Sequence, residues 1–332
     1  MTLKSNSVKG KYEIISENSV ADSDDLDGFK LSLVIPCFNE QETLEHSYNK
    51  IVSDLKIVKN LELILIDDGS NDDTWNIIIN LKAQDGRIKA IKLSRNFGHQ
   101  YAVTAGLMSC DGDCIAIIDA DLQDPPKVIL KMITLWKKGY YVVFGKRKKR
   151  DGESFFKVIT ANLFYKFLNL LSGDFIPRDT GDFRLIDKKI NDCLKDMPEY
   201  DRFLRGMVAW IGFPQIGIEY NREKREFGET KYTLRKMISL AASAIFSFSL
   251  KPLRLAIVLG TLSAGIAISI VVYSIIMKIF GSPVPGWTTL TVLISFFSGV
   301  QLLSIGLLGE YVGRAFIQTK QRPQYIIEES IK

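Results

Sequence analysis

The chain has 332 residues, of which 46% are apolar and 24% charged, enough for one large domain and something more. Its net charge of +5 is mild, and no stripe of Lys and Arg interleaved with aromatic residues runs through it, which argues against a nucleic-acid binder. The basic residues gather beside apolar segments instead, where anionic lipid headgroups account for them. The four cysteines, Cys37, Cys110, Cys114 and Cys193, have no CxxC spacing. They read as reduced thiols of a cytosolic domain, not as a disulfide frame or a zinc site.

Residues 1–28 are polar and end in an acidic patch of Asp22, Asp24, Asp25 and Asp27. No apolar stretch follows a basic start, so they are read as a mobile tail and not as a signal peptide. From Phe29 strands and helices alternate. Strands are expected at Leu31–Ile35, Leu61–Ile66, Arg87–Leu93, Cys114–Ile118 and Tyr140–Gly145. Helices are expected over 40–58, from about Asp72, and over Gly98–Ser109. This alternation implies a mostly parallel, Rossmann-like α/β sheet covered on both faces, spanning residues 29–230. Ligands of such sheets bind beyond the carboxyl ends of the strands. Polar clusters fall there: Asn39-Glu40, Asp67-Asp68, Arg95-Asn96 and Asp119-Asp121.

The stretch Cys114 to Pro126 organises the rest. A short apolar strand ends in Asp119-Ala120-Asp121. Residues two apart in extended backbone point to one side, so two carboxylates come together at the strand end. Such a pair needs a cation or a hydrogen-bond network. Hard oxygen ligands in small number suit Mg²⁺ or Mn²⁺ carried in with a phosphate-bearing substrate. Two incidental acids on a solvated turn would be the plainer explanation. The basic run Lys146–Arg150 serves equally as a solvated loop or as a phosphate contact.

Segments 153–172 and 231–252 are amphipathic and fit helices lying at a membrane interface. Leu255–Met277 and Ile279–Gly309 carry no charge at all. Each can hold the ~20 apolar residues that a bilayer core requires, so spans are expected at 253–279 and 286–312. Residues 278–286, which join the two spans, hold one Lys, whereas the outer flanks hold Lys251, Arg254, Arg314, Lys320 and Arg322. The positive-inside rule then puts the domain, both termini and the tail 313–332 in the cytoplasm, on an inner (plasma) membrane crossed twice. Glu310 and Arg314 are spaced for a helical ion pair.

Several ordered motifs resemble one family. Ile35-Pro36-Cys37-Phe38-Asn39-Glu40, Asp67-Asp68-Gly69-Ser70 and Asp119-Ala120-Asp121-Leu122-Gln123-Asp124-Pro125-Pro126 are similar to glycosyltransferase family 2, of the GT-A fold. Ser94 to Gln100, Asp179 to Leu185 and the two apolar C-terminal segments resemble its polyprenyl-phosphate glycosyltransferases. These include dolichyl-phosphate mannose synthase and bacterial GtrB-like glucosyltransferases. The resemblance covers residues 30–325. One departure is Phe38, where many relatives carry Tyr, so any hydrogen bond from that hydroxyl is lost.

The resemblance implies roles. Pro36, Phe38, Glu40, Asp67, Asp68 and Asp119 bind the nucleotide sugar. Asp119, Asp121 and Gln123 hold Mg²⁺ or Mn²⁺ with the diphosphate. Asp182 matches the acid usually described as the catalytic base, which either deprotonates the acceptor or orients it. Arg147, Arg202, Arg205 and Lys231 face phosphates of donor or acceptor. His99 serves either as a helix start or as a ligand contact. The implied reaction inverts a sugar from a nucleotide donor onto a polyprenyl phosphate, with UDP-glucose ahead of GDP-mannose. A processive synthase would carry Gln-x-x-Arg-Trp, whereas the nearest stretch here is Arg202-Phe203-Leu204-Arg205 with Trp210 beyond. A non-catalytic nucleotide-sugar-binding scaffold would have lost an acid, yet Asp119, Asp121 and Asp182 are present. Small residues in the spans, Gly260 and Ala264 at four-residue spacing among them, predict a homo-oligomer, a dimer or tetramer.

Overall fold

Uninterrupted apolar runs make the centre of the sheet. Every residue of β2 (Leu31–Cys37) and β3 (Leu61–Asp67) is buried, as expected of strands covered on both faces. The computed structural model describes residues 12–20, 26–148, 180–221, 251–280 and 286–332. The remaining elements are β1 (Glu13–Ser16), α1 (Leu44–Asp54), α2 (Thr74–Gln84), β4 (Ile88–Leu93), α3 (His99–Met108), β5 (Cys114–Ile117), α4 (Lys127–Lys137), β6 (Val142–Arg147), β7 (Thr180–Asp187), α5 (Lys188–Asp196), α6 (Leu204–Ile211), β8 (Gln215–Tyr220), α7 (Lys251–Ile279), α8 (Trp287–Thr319) and β9 (Ile327–Ile331). The sheet order is β1-β8-β6-β7-β5-β2-β3-β4-β9. Among the described strands, only β7 and β9 run against their neighbours.

Alternation along the strands splits the core in two. Leu33, Ile35, Leu63 and Leu65 pack with α1, α2 and α4 on one face. Val34, Ile64 and Ile66 pack with α3, α5 and α6 on the other. Burial of each such side chain contributes about 1.5–3 kcal/mol. Helix α3 lies very close to the sheet. A Cβ on Gly106 would stand 2.5 Å from Val34 Cγ1, so a larger residue there would push the helix off. Three of the four free cysteines, Cys37, Cys110 and Cys114, are buried core residues.

The N-terminal segment differs from expectation. Residues 13–19 are not a mobile tail. Glu13–Ser16 pairs in parallel with β8, and the Glu17 carbonyl accepts from Lys131 Nζ at 2.9 Å. Val20 and Leu26 are buried in the core. The expected C-terminal tail is likewise structured. Helix α8 runs on to Thr319, and Ile327–Ile331 forms an antiparallel edge strand against β4. The apolar core could not reveal either strand, because each is short and largely exposed. The amphipathic segments expected at 153–172 and 231–250, together with Lys231, lie outside the described residues.

Helices α7 and α8 pack against each other and leave large apolar side chains outward, with Ile257 63% and Leu302 69% exposed. Lys251–Met277 and Val292–Thr319 are long and apolar enough to cross a membrane, with mean hydropathies of 2.5 and 1.9 over their most apolar 18 residues. Their hydroxyls turn back on their own helix, as in Thr261 Oγ1 to the Ile257 carbonyl at 2.8 Å and Ser304 Oγ to that of Val300 at 2.9 Å. Polar groups satisfied within the helix can face lipid.

Candidate active site

The carboxyl ends of β2 and β3 are stitched together. Asn39, at φ 54°, donates its N–H to Ser70 Oγ (2.9 Å), and its Oδ1 accepts from the Asn71 N–H (2.9 Å). The Glu40 and Gln41 N–H groups donate to Thr74 Oγ1 and Asp72 Oδ2. Pro36 is buried beneath this turn, while Phe38 and Glu40 are half-buried at its rim. Gly69 sits against the next loop. A Cβ there would come within 2.3 Å of the Arg95 carbonyl carbon. The same loop occupies Asp68, whose Oδ1 and Oδ2 accept the Phe97 and Gly98 N–H groups at 2.8 and 3.0 Å.

Asp67 and Asp68 both accept backbone N–H groups of the surrounding turns. Both are buried, at 0% and 3% exposure. Asp67 Oδ1 accepts the Ser70 N–H. Their carboxylates shape the turns that surround the cleft.

Two residues beyond β5, Asp119 and Asp121 emerge half-buried on the cleft floor. Leu122, at φ 54°, turns the chain, and the Gln123 N–H donates to Asp121 Oδ1 at 3.2 Å. The antiparallel register of β7 sets Ile117 opposite Arg184. It carries Asp182 to the level of Asp119. Asp182 is 8% exposed and densely partnered. Arg205 Nε and Nη2 donate to its Oδ1 and Oδ2 at 2.9 and 3.1 Å. Gln100 Nε2 donates to Oδ2 at 2.9 Å. His99 Nε2 stands 3.3 Å from Asp182 Oδ2 and 3.7 Å from Asp119 Oδ1, bridging the two acids. Gly98, at φ 110°, starts α3 so that His99 and Gln100 face this point.

A second cation is held on the neighbouring strand. Arg147 Nη2 lies 3.3 Å from Asp124 Oδ2, and its Nε lies 3.4 Å from Tyr220 Oη. Tyr220 Oη also donates to Asp124 Oδ1. Arg202, the other arginine expected at a phosphate, is turned towards a helix end. It is 6% exposed, and its Nη2 donates to the Leu194 and Met197 carbonyls at 2.8 and 2.6 Å. Its charge caps the carboxyl end of α5.

Residues 32–195 match the family described as "Glycosyl transferase family 2". An uncharacterized glycosyltransferase of Bacillus subtilis, YkcC, is 44% identical over 90% of this chain and 93% of its own. A prophage bactoprenol glucosyl transferase homolog of Escherichia coli is 40% identical over 90% and 98%. The chain belongs to glycosyl transferase family 2. The Shigella phage SfII bactoprenol glucosyl transferase is also similar, at 40% identity over 91% of this chain and 98% of its own. A distant likeness of fold joins glucosyl-3-phosphoglycerate synthase from Mycobacterium tuberculosis, crystallised with Mn²⁺ and UDP-glucose, at 17% identity and a TM-score of 0.44 over 66% of this chain and 78% of its own.

The electrostatics of this glycosyltransferase separate its acids into two kinds. Burial raises the pKa of Asp119, and the charges of Asp121, Asp124 and Asp182 add to it against the opposing His99. Burial also works against ionised Asp182, but Arg205 and His99 hold it well below the usual carboxylate range. Desolvation disfavours the His99 imidazolium, yet Asp119 and Asp182 lift its pKa to about 9. Burial likewise opposes the Arg147 charge, which Asp124 and Tyr220 restore. The crowding at Asp119 is what a divalent cation would relieve. Among the described residues no third acid, imidazole or thiolate completes a protein cage around a metal. Two carboxylates suit Mg²⁺ or Mn²⁺, which fill their remaining positions with water and substrate phosphate. The residues present fit such an ion.

Sequence reasoning passed over Gln100, Asp124 and Tyr220. Gln100 adjoins His99 in a quoted motif, but an amide carries no charge to mark it. Asp124 was quoted only as part of a motif, and Tyr220 lies on a strand remote in sequence.

Proposed function

We propose that the protein transfers one glucose from UDP-glucose to a polyprenyl phosphate at the cytoplasmic face of the plasma membrane, with inversion. The observation that carries this is the juxtaposition of two charge clusters on one sheet edge. Asp119 and Asp121 form the anionic one. Arg205 and His99, gathered on Asp182, form the cationic one. The relatives named bactoprenol glucosyl transferases support the choice of sugar and acceptor. The two apolar helices and the basic flanks support the location.

A divalent ion bound at Asp119 and Asp121 would supply Lewis-acid stabilisation to the leaving diphosphate. Gln123 stands beside that site, and Phe38 and Glu40 form the rim over the nucleotide. The acceptor is a phosphate monoester, whose second pKa near ~6 leaves it mostly dianionic at neutral pH. It needs little deprotonation. A carboxylate held ionised by Arg205 is a weak base, so Asp182 acts by orienting Arg205 and His99 towards the incoming phosphate. Arg147 supplies a further cation, held by Asp124 and Tyr220. Two anions can then meet without a protein nucleophile.

Radiolabelled UDP-glucose, the purified protein and a polyprenyl phosphate test the reading. One sugar per lipid, by mass, is the expected product. A ladder of sugars would indicate a processive enzyme, and labelling from GDP-mannose alone would replace the donor. The chains associate through α7 and α8, with Gly260 offering open space for close helix approach. Light scattering corrected for detergent should give a dimer or tetramer.

A further inference from the structure

The carboxyl end of α8 does not hang free below the domain. Gln318 uses both ends of its amide on one short segment. Its Oε1 accepts the Tyr200 N–H at 2.8 Å, and its Nε2 donates to the Pro198 carbonyl at 2.7 Å. One turn earlier, Arg314 Nη1 pairs with Asp201 Oδ2 at 2.6 Å. Beyond the helix, Gln324 Nε2 donates to the Glu199 carbonyl at 2.7 Å. Tyr325 packs on the second core, and β9 then joins the sheet edge. Four consecutive residues, 198–201, are thus gripped by the end of a helix suited to crossing a membrane and by the segment that follows it.

The same segment is held on its other side by the catalytic cleft. Tyr101 Oη donates to the Tyr200 carbonyl at 3.1 Å. Gln100, which binds Asp182, also accepts the Leu204 N–H at 3.1 Å. Arg205 follows in the first turn of α6 and closes on Asp182. The route from the span to the cationic cluster is therefore short and continuous: Gln318, Pro198–Arg202, Leu204, Gln100 and Arg205 with Asp182. Backbone groups carry most of it. A single amide that satisfies both an N–H and a carbonyl fixes distance and orientation together.

We propose that Gln318 is a positioning residue which, with Gln324, sets the height of the Arg205–Asp182 pair above the bilayer, to match the phosphate of a membrane-anchored acceptor. This rests on the reading of the acceptor as a polyprenyl phosphate. A lipid phosphate is confined to a thin layer at the membrane surface, so the protein must bring its cations to that layer. A soluble phosphate imposes no such requirement. Misplacement by about 1 Å can cost on the order of a hundredfold in rate. The dock would then matter for lipid acceptors and not for soluble ones.

The full-length protein in lipid nanodiscs tests this with two acceptors, a long-chain polyprenyl phosphate and a water-soluble short-chain isoprenyl phosphate. Gln318→Ala and Gln324→Ala are compared with the parent, with kcat and KM measured for each acceptor and for the donor, and Tm recorded. The expected result is a loss of about tenfold in kcat/KM for the long-chain acceptor, borne mainly by its KM. The short-chain acceptor, the donor KM and Tm should stay near the parent values. Lys92→Ala, which breaks a contact of β4 with Glu328 away from the dock, should leave both acceptors unchanged. Equal loss on both acceptors would overturn the proposal, because the dock would then only maintain the cleft. No loss on either would overturn it too. If Gln318→Ala does not fold, Gln324→Ala alone must show the split, and its failure to do so overturns the proposal. If the parent uses neither acceptor, the functional reading itself fails, and the positioning role falls with it.

Discussion

Two carboxylate sites face each other across the cleft and are treated in opposite ways. At the end of β5, Asp119 and Asp121 stand among other acids, and Asp119 is pushed towards protonation by burial and by their charge. On β7, Asp182 is more deeply buried, yet Arg205 and His99 keep it ionised. Residue type is the same, and it is the deeper acid that stays ionised, so the neighbours decide the role. The first site is built to receive a cation from outside. The second brings its own cations and presents them to an incoming anion.

The sharpest way to break this contrast is to remove a charge from the first site. Asp121→Asn should lower transfer by about a thousandfold, since a Lewis acid contributes several kcal/mol to such a step. Chelation with EDTA should do the same to the parent, with recovery on adding Mg²⁺ or Mn²⁺. Near-parental turnover of radiolabelled donor by Asp121→Asn would remove the metal from the reaction. The second site should respond to Arg205→Ala with about a hundredfold lower kcat/KM, because Asp182 is left charged and poorly compensated. Arg205→Lys should recover only part, as an ammonium cannot make the two-pronged contact.

Asp182→Asn sharpens the comparison further. The amide keeps the shape and loses the charge that gathers Arg205 and His99, so a drop of about tenfold to a hundredfold is expected. The pH–rate profile is the telling readout. If Asp182 orients, the rate rises with ionisation of the acceptor phosphate near ~6, and the midpoint is the same in parent and variant. A midpoint that moves in Asp182→Asn would restore it as the base.

The smallest expected effect lies outside the cleft. Asp85 resembles Asp182 in its partners, accepting two-pronged bonds from Arg87 and one from Tyr48 Oη at 2.7 Å. Arg87 is chiefly responsible for holding its pKa well below the usual value. A carboxylate with a depressed folded-state pKa contributes stability above its unfolded pKa and loses it as pH falls through the folded one. Arg87 is 41% exposed, so solvent screens the pair. Asp85→Asn should therefore lower stability at pH 7 by only about 1 kcal/mol. The gap in Tm between parent and variant should narrow as the pH is taken below 4.

The parts of this design that were legible in the chain share a property. Asp119 and Asp121 stood out because a run of apolar residues ended in two acids at strand spacing. The spanning helices stood out because 23 and 31 residues pass without a charge. Both are one-dimensional signals. Arg202 and Arg205 sit three residues apart, and nothing in their type tells which guanidinium turns to a helix end and which to Asp182. That is settled by the path of the chain around α6. The partners of Asp68, Phe97 and Gly98, were illegible for the same reason, since they come from another loop. Strands β1 and β9 exist because a sheet edge is there to receive them, and their own propensity is too weak to announce them.

That last strand has a consequence for life at a crowded surface. Held in two dimensions, neighbouring domains meet at concentrations that favour zipping of bare sheet margins. The outermost strand here reads Ile-Glu-Glu-Ser-Ile, with Glu328 and Glu329 exposed on it and Glu328 paired to Lys92. Inter-sheet growth would have to bring these carboxylates against another chain's margin, and charge at that position resists it. Glu328 and Glu329 thus guard this margin of the sheet against edge-to-edge pairing.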